Sequence, residues 1–167
     1  MKVLLLILAA FIVGISTVRA QHHHHHHERN EIGISPGVIY AQDHKEWGMG
    51  IHAHYFRTLG DHSRWAVGAF AEQVWLDDTH FSVGAGVRYE LVERLHVGAF
   101  PGVTFAKHEH DHDGHEHDKS KARFSVHGEL VYDLFTWKKF HLGPVLDYSW
   151  AKDDSHFMLG IHVAFCF

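Results

Sequence analysis

The sequence predicts an all-β protein: an eight-stranded antiparallel up-and-down transmembrane β-barrel whose polar lumen is filled by side chains. Three observations predict it. The chain opens on an export signal, alternation of apolar and polar residues recurs eight times after residue 31, and the last alternating segment runs to a terminal aromatic, Phe167.

The signal occupies residues 1–20. Lys2 supplies the positive n-region, Val3 to Ile15 are almost unbroken apolar residues, and cleavage is expected after Ala20. The apolar run is shorter than the roughly 18–20 residues of a spanning helix. Residues 21–30 form a His-rich tail expected to be disordered, and the barrel is expected over 31–167.

The eight segments follow in order, each named by its apolar face. The first has Ile32, Ile34, Pro36, Val38 and Tyr40; the second Trp47, Met49, Ile51, Ala53 and Tyr55; the third Trp65, Val67, Ala69 and Ala71. The fourth alternates most cleanly, with Phe81, Val83, Ala85, Val87 and Tyr89 against His80, Ser82, Gly84, Gly86 and Arg88. Leu95 to Phe105, Phe124 to Tyr132, Phe140 to Trp150 and Phe157 to Phe167 complete the set. Each is about ten residues, enough for a tilted strand to cross a bilayer. Tight turns are expected near 57–64, 90–94 and 135–139 at the end that carries both termini. At the other end, only the connection at 107–122 is long.

The polarity of the two faces selects a membrane barrel over a soluble one. Bulky apolar residues share one face, with Trp and Tyr toward strand ends; the other face mixes glycine with His52, His54, Glu72, Arg88, His127, Glu129 and Asp147. Lipid demands an apolar exterior and an internally satisfied backbone, and aromatic girdles mark its interfaces. The lone Cys166 excludes a disulfide framework despite the oxidising export route. A net charge of −5 gives no reason to expect a nucleic-acid partner.

The strand pattern, the segment HFSVGAGVRY from His80 to Tyr89, and the closing GIHVAFCF ending in Phe167 resemble the small OmpA/OmpX-like outer-membrane β-barrels, in the stand-alone form common in Bacteroidota. The resemblance covers residues 31–167. It implies a Gram-negative outer-membrane location, contact with lipid and lipopolysaccharide, and a C-terminal Phe read by the barrel-assembly machinery. It implies little about function. Barrels of this size have interiors filled by side chains rather than open pores.

Histidine makes up 21 of the 167 residues, in three groups. His22–His27 follows the expected cleavage site and reads equally as an inserted tag or a natural tract. The long loop carries His108, His110, His112, His115 and His117 among Asp and Glu, a composition that cannot pack and that suits Zn²⁺ or another divalent transition metal. By parity, His52, His54, His80, His96, His127, His141, His156 and His162 face the lumen. Hydrogen-bonded polar networks ordinarily fill such interiors; if an ion is held there, Glu72, His80, His127 and His156 are the expected ligands.

The expected function is therefore non-enzymatic: binding or buffering divalent metal at the cell surface, with or without a transporter partner. The alternative is a structural or adhesive barrel whose histidines are incidental. A lipid A deacylase would use a His-x-Ser pair, which His80 and Ser82 match in spacing, but parity turns both inward. A soluble periplasmic metal carrier is the reading that departs from a membrane.

Overall fold

Period-2 sequences become strands because alternate side chains leave a pleated backbone on opposite sides. Nine strands form: β1 (Asn30–Ala41), β2 (Glu46–Thr58), β3 (Trp65–Trp75), β4 (Thr79–Val92), β5 (Leu95–Ala106), β6 (Lys121–Tyr132), β7 (Phe135–Trp137), β8 (Phe140–Ala151) and β9 (Asp154–Cys166). This computed structural model describes residues 29–61, 63–76, 78–106, 121–152 and 154–167. The expected export signal, His22–His27, and His108, His110, His112, His115 and His117 of the expected long loop lie outside the described residues.

Each strand pairs antiparallel with its sequence neighbour from β1 to β6. β1 also pairs β9, β9 pairs β8, and β8 pairs β6, so the sheet closes on itself and leaves no edge. The closure ends with Asn30 and Phe167 exchanging backbone hydrogen bonds at 3.0 and 2.8 Å.

β6 and β7 are two pieces of one barrel strand, so nine strands make eight staves. Val131 faces Val145 on β8, whereas Phe135 faces Leu142, a one-residue shift that marks a β-bulge at Asp133 and Leu134. The sixth stave therefore runs past the Tyr132 expected from sequence and turns at Lys138–Lys139. Gly143 opposite the bulge is required: a Cβ there would lie 1.8 Å from the Tyr132 carbonyl oxygen.

Outward residues form an apolar belt that includes Ile32, Met49, Val67, Leu130, Leu146, Leu159 and Ile161. Aromatic pairs cross strands near both rims: Tyr40 with Trp47 and Tyr148 with Phe157 at the loop end, Trp65 with Tyr89 and Phe140 with Phe165 at the termini end. The inward face is less uniformly polar than its sequence reads. Phe56, Ala66, Phe70 and Phe100 pack as one buried cluster, and Ile39, Val74 and Met158 as another, with Leu76 against it. The inward glycines make room for the rings; a Cβ on Gly98 would fall 2.3 Å from Phe100.

A candidate metal centre in the lumen

All eight parity-assigned histidines point inward, and six of them are buried: His52, His54, His80, His127, His156 and His162. β2 contributes His52, whose cross-strand partner on β3 is Glu72. On the facing wall, β6 carries His127 and Glu129 opposite Ser149 and Asp147 of β8, and His156 of β9 stands opposite Ser149. The centre forms where these two walls meet across the lumen.

His52 Nδ1 lies 3.8 Å from Glu72 Oε2 and 3.6 Å from Asp147 Oδ2. His127 Nδ1 lies 3.7 Å from Glu72 Oε1 and 3.9 Å from Asp147 Oδ1. Each of two imidazoles thus confronts each of two carboxylates. His156 Nε2 adds a contact to Glu72 Oε1 at 3.2 Å, and His52 Nε2 faces Glu129 Oε2 at 3.8 Å. Phe70 is wedged between the two imidazoles, stacked on His52 with centroids 5.2 Å apart and tilted against His127 at 4.4 Å.

The 3.6–3.9 Å separations are too long for direct hydrogen bonds. Among the described residues, both nitrogens of His52, Nδ1 of His127, Oε2 of Glu72 and both oxygens of Asp147 and of Glu129 are buried without a hydrogen-bond partner. Buried polar atoms are ordinarily paired, and orphaning one costs about 1–3 kcal/mol, more if it is charged. A tetrahedral ion with bonds of about 2.0–2.2 Å holds its N and O donors roughly 3.4 Å apart. The donor set and its spacing fit a divalent cation seated among His52, Glu72 and Asp147, with His127 beside them.

Toward the termini the polar groups are more fully paired. Arg88 donates to both oxygens of Glu31, at 2.5 and 2.7 Å, and its guanidinium lies 4.3 Å over the Phe56 ring. His54 Nε2 reaches Glu31 at 3.2 Å, and His162 Nδ1 reaches Ser35 Oγ at 3.2 Å. The bulge aims Asp133 at His96 and His141, at 3.1 and 3.0 Å. Asp133 is thus buried with both neighbouring imidazoles as partners.

Of the four lumen ligands expected from sequence, Glu72, His127 and His156 come together. His80 does not; it stands at the loop-end rim with Nδ1 2.9 Å from Asp154. His52 and Asp147, which parity places inward without marking as ligands, occupy the middle of the cluster. Ser82 is buried with its Oγ 2.7 Å from Thr104, so His80 and Ser82 have separate partners inside the barrel.

No protein-family model matches the sequence, and no curated protein matches it. Solved structures do. Neisserial surface protein A matches with a TM-score of 0.63 at 13% identity, over 83% of this chain and 97% of that one. The fold is that of the small eight-stranded outer-membrane β-barrels. The barrel is similar also to the Yersinia pestis attachment invasion locus protein Ail, with a TM-score of 0.60 at 17% identity over 82% of this chain and 98% of that one. The N-terminal barrel of Pseudomonas aeruginosa OprF gives a TM-score of 0.54 at 12% identity over 83% and 98%. At these identities the likeness establishes the barrel and leaves its contents to be read from this chain's own residues.

Proposed function

We propose that this protein is a non-enzymatic barrel of the outer membrane that binds divalent transition-metal ions in its lumen. The observation that carries the reading is the His52–Glu72–Asp147 group with His127 beside it, whose buried donors face one another at close to ion-coordinating spacing, with only Glu72 Oε1 paired elsewhere, to His156. Glu72 and Asp147 supply two negative charges to balance a dication, and imidazole nitrogen favours Zn²⁺, Cu²⁺, Ni²⁺ or Co²⁺ over Mg²⁺ or Ca²⁺. To the histidines His108 to His117, in the sequence between β5 and β6, we assign the role of a loose collector. Protons compete for the same imidazole nitrogens, so binding weakens in acid.

Calorimetric titration of the refolded protein with Zn²⁺ tests this. One saturable site is expected to survive deletion of residues 108–118, which removes only a weaker class. Glu72→Gln combined with Asp147→Asn is expected to lower its affinity by about 100-fold or more. A full-length protein with no saturable Zn²⁺ binding sinks the reading and leaves a structural or adhesive barrel.

A further inference from the structure

Among the described residues, four groups of three side chains bring their donor atoms within 4.8 Å of one another. They are His52–Glu72–Asp147, His52–His54–Glu129, Glu31–His54–His162 and Glu31–His141–Cys166. Each shares one residue with the next: His52, then His54, then Glu31. The groups descend β2 by one inward step, from His52 to His54, and then leave through β1 and β9 toward the termini.

We infer that the barrel passes a divalent transition-metal ion down this ladder, from the middle of the lumen to the mouth beside the termini. The inference rests on the metal-binding reading above and adds movement to it. A bare dication in a closed, low-dielectric lumen is prohibitively costly. Consecutive groups lie on the two nitrogens of one imidazole, Nδ1 and Nε2 of His52 and then of His54, so each step is only a ring's width and ends at another carboxylate. His52 Nε2 faces Glu129 Oε2 at 3.8 Å, His54 Nδ1 faces the same oxygen at 4.0 Å, and His54 Nε2 reaches Glu31 at 3.2 Å.

The last rung has the chemistry of an exit. Cys166 Sγ lies 3.7 Å from His141 Nε2 and 3.8 Å from Glu31 Oε2, close to the roughly 3.6 Å expected between a thiolate and a nitrogen or oxygen ligand of one tetrahedral ion. Asp133 holds the other nitrogen of His141 at 3.0 Å, the arrangement that orients metal-ligating histidines. The His141 side chain is half-buried and reaches solvent, while that of Cys166 is buried behind it. Above the first rung, His156 on Glu72 and the rim pair His80–Asp154 continue the alternation of imidazole and carboxylate toward the loop end. A rim cavity of about 350 Å³ has His80 in its wall.

Arg88 is the barrier on this path. Its guanidinium is bound to Glu31, which belongs to both lower rungs, so a positive charge sits where the ion must pass. The ladder is latched at its lower end, and passage requires Arg88 to yield Glu31.

Reconstitution into liposomes that enclose a zinc-responsive dye tests the inference, with Zn²⁺ added outside. Wild type is expected to admit Zn²⁺ at least tenfold faster than protein-free liposomes, while Ca²⁺ entry stays at the protein-free level. Glu129→Gln breaks the second rung and should cut the Zn²⁺ rate tenfold while calorimetry still finds the central site. His54→Asn should do the same by a different residue, and Arg88→Gln should raise the rate several-fold. Heat-modifiable gel mobility identifies the folded variants to be compared. Zn²⁺ bound but not admitted overturns the ladder and spares the binding reading; neither bound nor admitted overturns both. Equal rates for wild type and both rung variants, or equal entry of Ca²⁺ and Zn²⁺, identify a leak and also overturn it.

Discussion

Two buried aspartates place this barrel's chemistry and its stability in different residues. Asp147 has both oxygens buried and unbonded; it shares its donor group with Glu72 and has Glu129 as its cross-strand partner on β6. In the absence of metal its charge destabilises the fold, so Asp147→Asn should stabilise the metal-free barrel by about 1–3 kcal/mol. The same substitution should abolish the rise in unfolding midpoint that Zn²⁺ confers, and urea unfolding with and without chelator measures both. Asp133 behaves oppositely, because His96 and His141 both hold its carboxylate, at 3.1 and 3.0 Å. Asp133→Asn should therefore cost about 1–2 kcal/mol, read as a lower urea midpoint. Parity alone disclosed that these histidines face inward. It could not disclose which of them meet, because the stagger of a closed barrel sets that, and so His80 stood in the place that His52 and Asp147 occupy. Phe70 was equally hidden: its sequence position marks it as inward, and only the closed lumen makes it the wedge between two imidazoles.

At the scale of elements, the strands were legible and the interruption in one of them was not. Leu134 and Phe135 both point outward, which breaks the period-2 pattern in the way a strand end does, so alternation stopped the sixth segment at Tyr132. The bulge keeps the stave in the sheet for three more residues, and it is what turns Asp133 toward His96 and His141. Gly143→Ala would drive a methyl into the Tyr132 carbonyl and should weaken the bulge and the Asp133 contacts together. The following hairpin carries a removable strain. Trp137 pairs with Phe140, and of the two turn residues between them Lys138 has φ 52°, a left-handed conformation that suits glycine. Lys138→Gly should raise stability by about 0.5–1 kcal/mol, visible as a higher urea midpoint at unchanged slope.

For the whole molecule, the apolar exterior makes the location testable without reference to any relative. A soluble up-and-down barrel keeps its bulk inside, and this one exposes Leu159, Ile161, Leu146 and Leu130 around its waist while burying Glu72, Glu129 and Asp147. The fold was readable from sequence because lipid imposes the same demand on every stave, so one rule repeated eight times. Leu159 sits near the middle of β9, 65% exposed, with outward Val38 and Leu146 as its cross-strand neighbours. In a bilayer, Leu159→Arg places a charge at the hydrocarbon midplane and should cost about 2–4 kcal/mol. Val92→Arg, at the rim, should cost no more than about 1 kcal/mol because the penalty falls away near the interface. On a water-soluble barrel both changes would be surface substitutions worth about ±0.5 kcal/mol, with no dependence on depth. Reversible urea unfolding in phospholipid vesicles separates the two cases: a large difference between the two arginine variants requires lipid around the waist, and two equal, small effects would remove the membrane from the account.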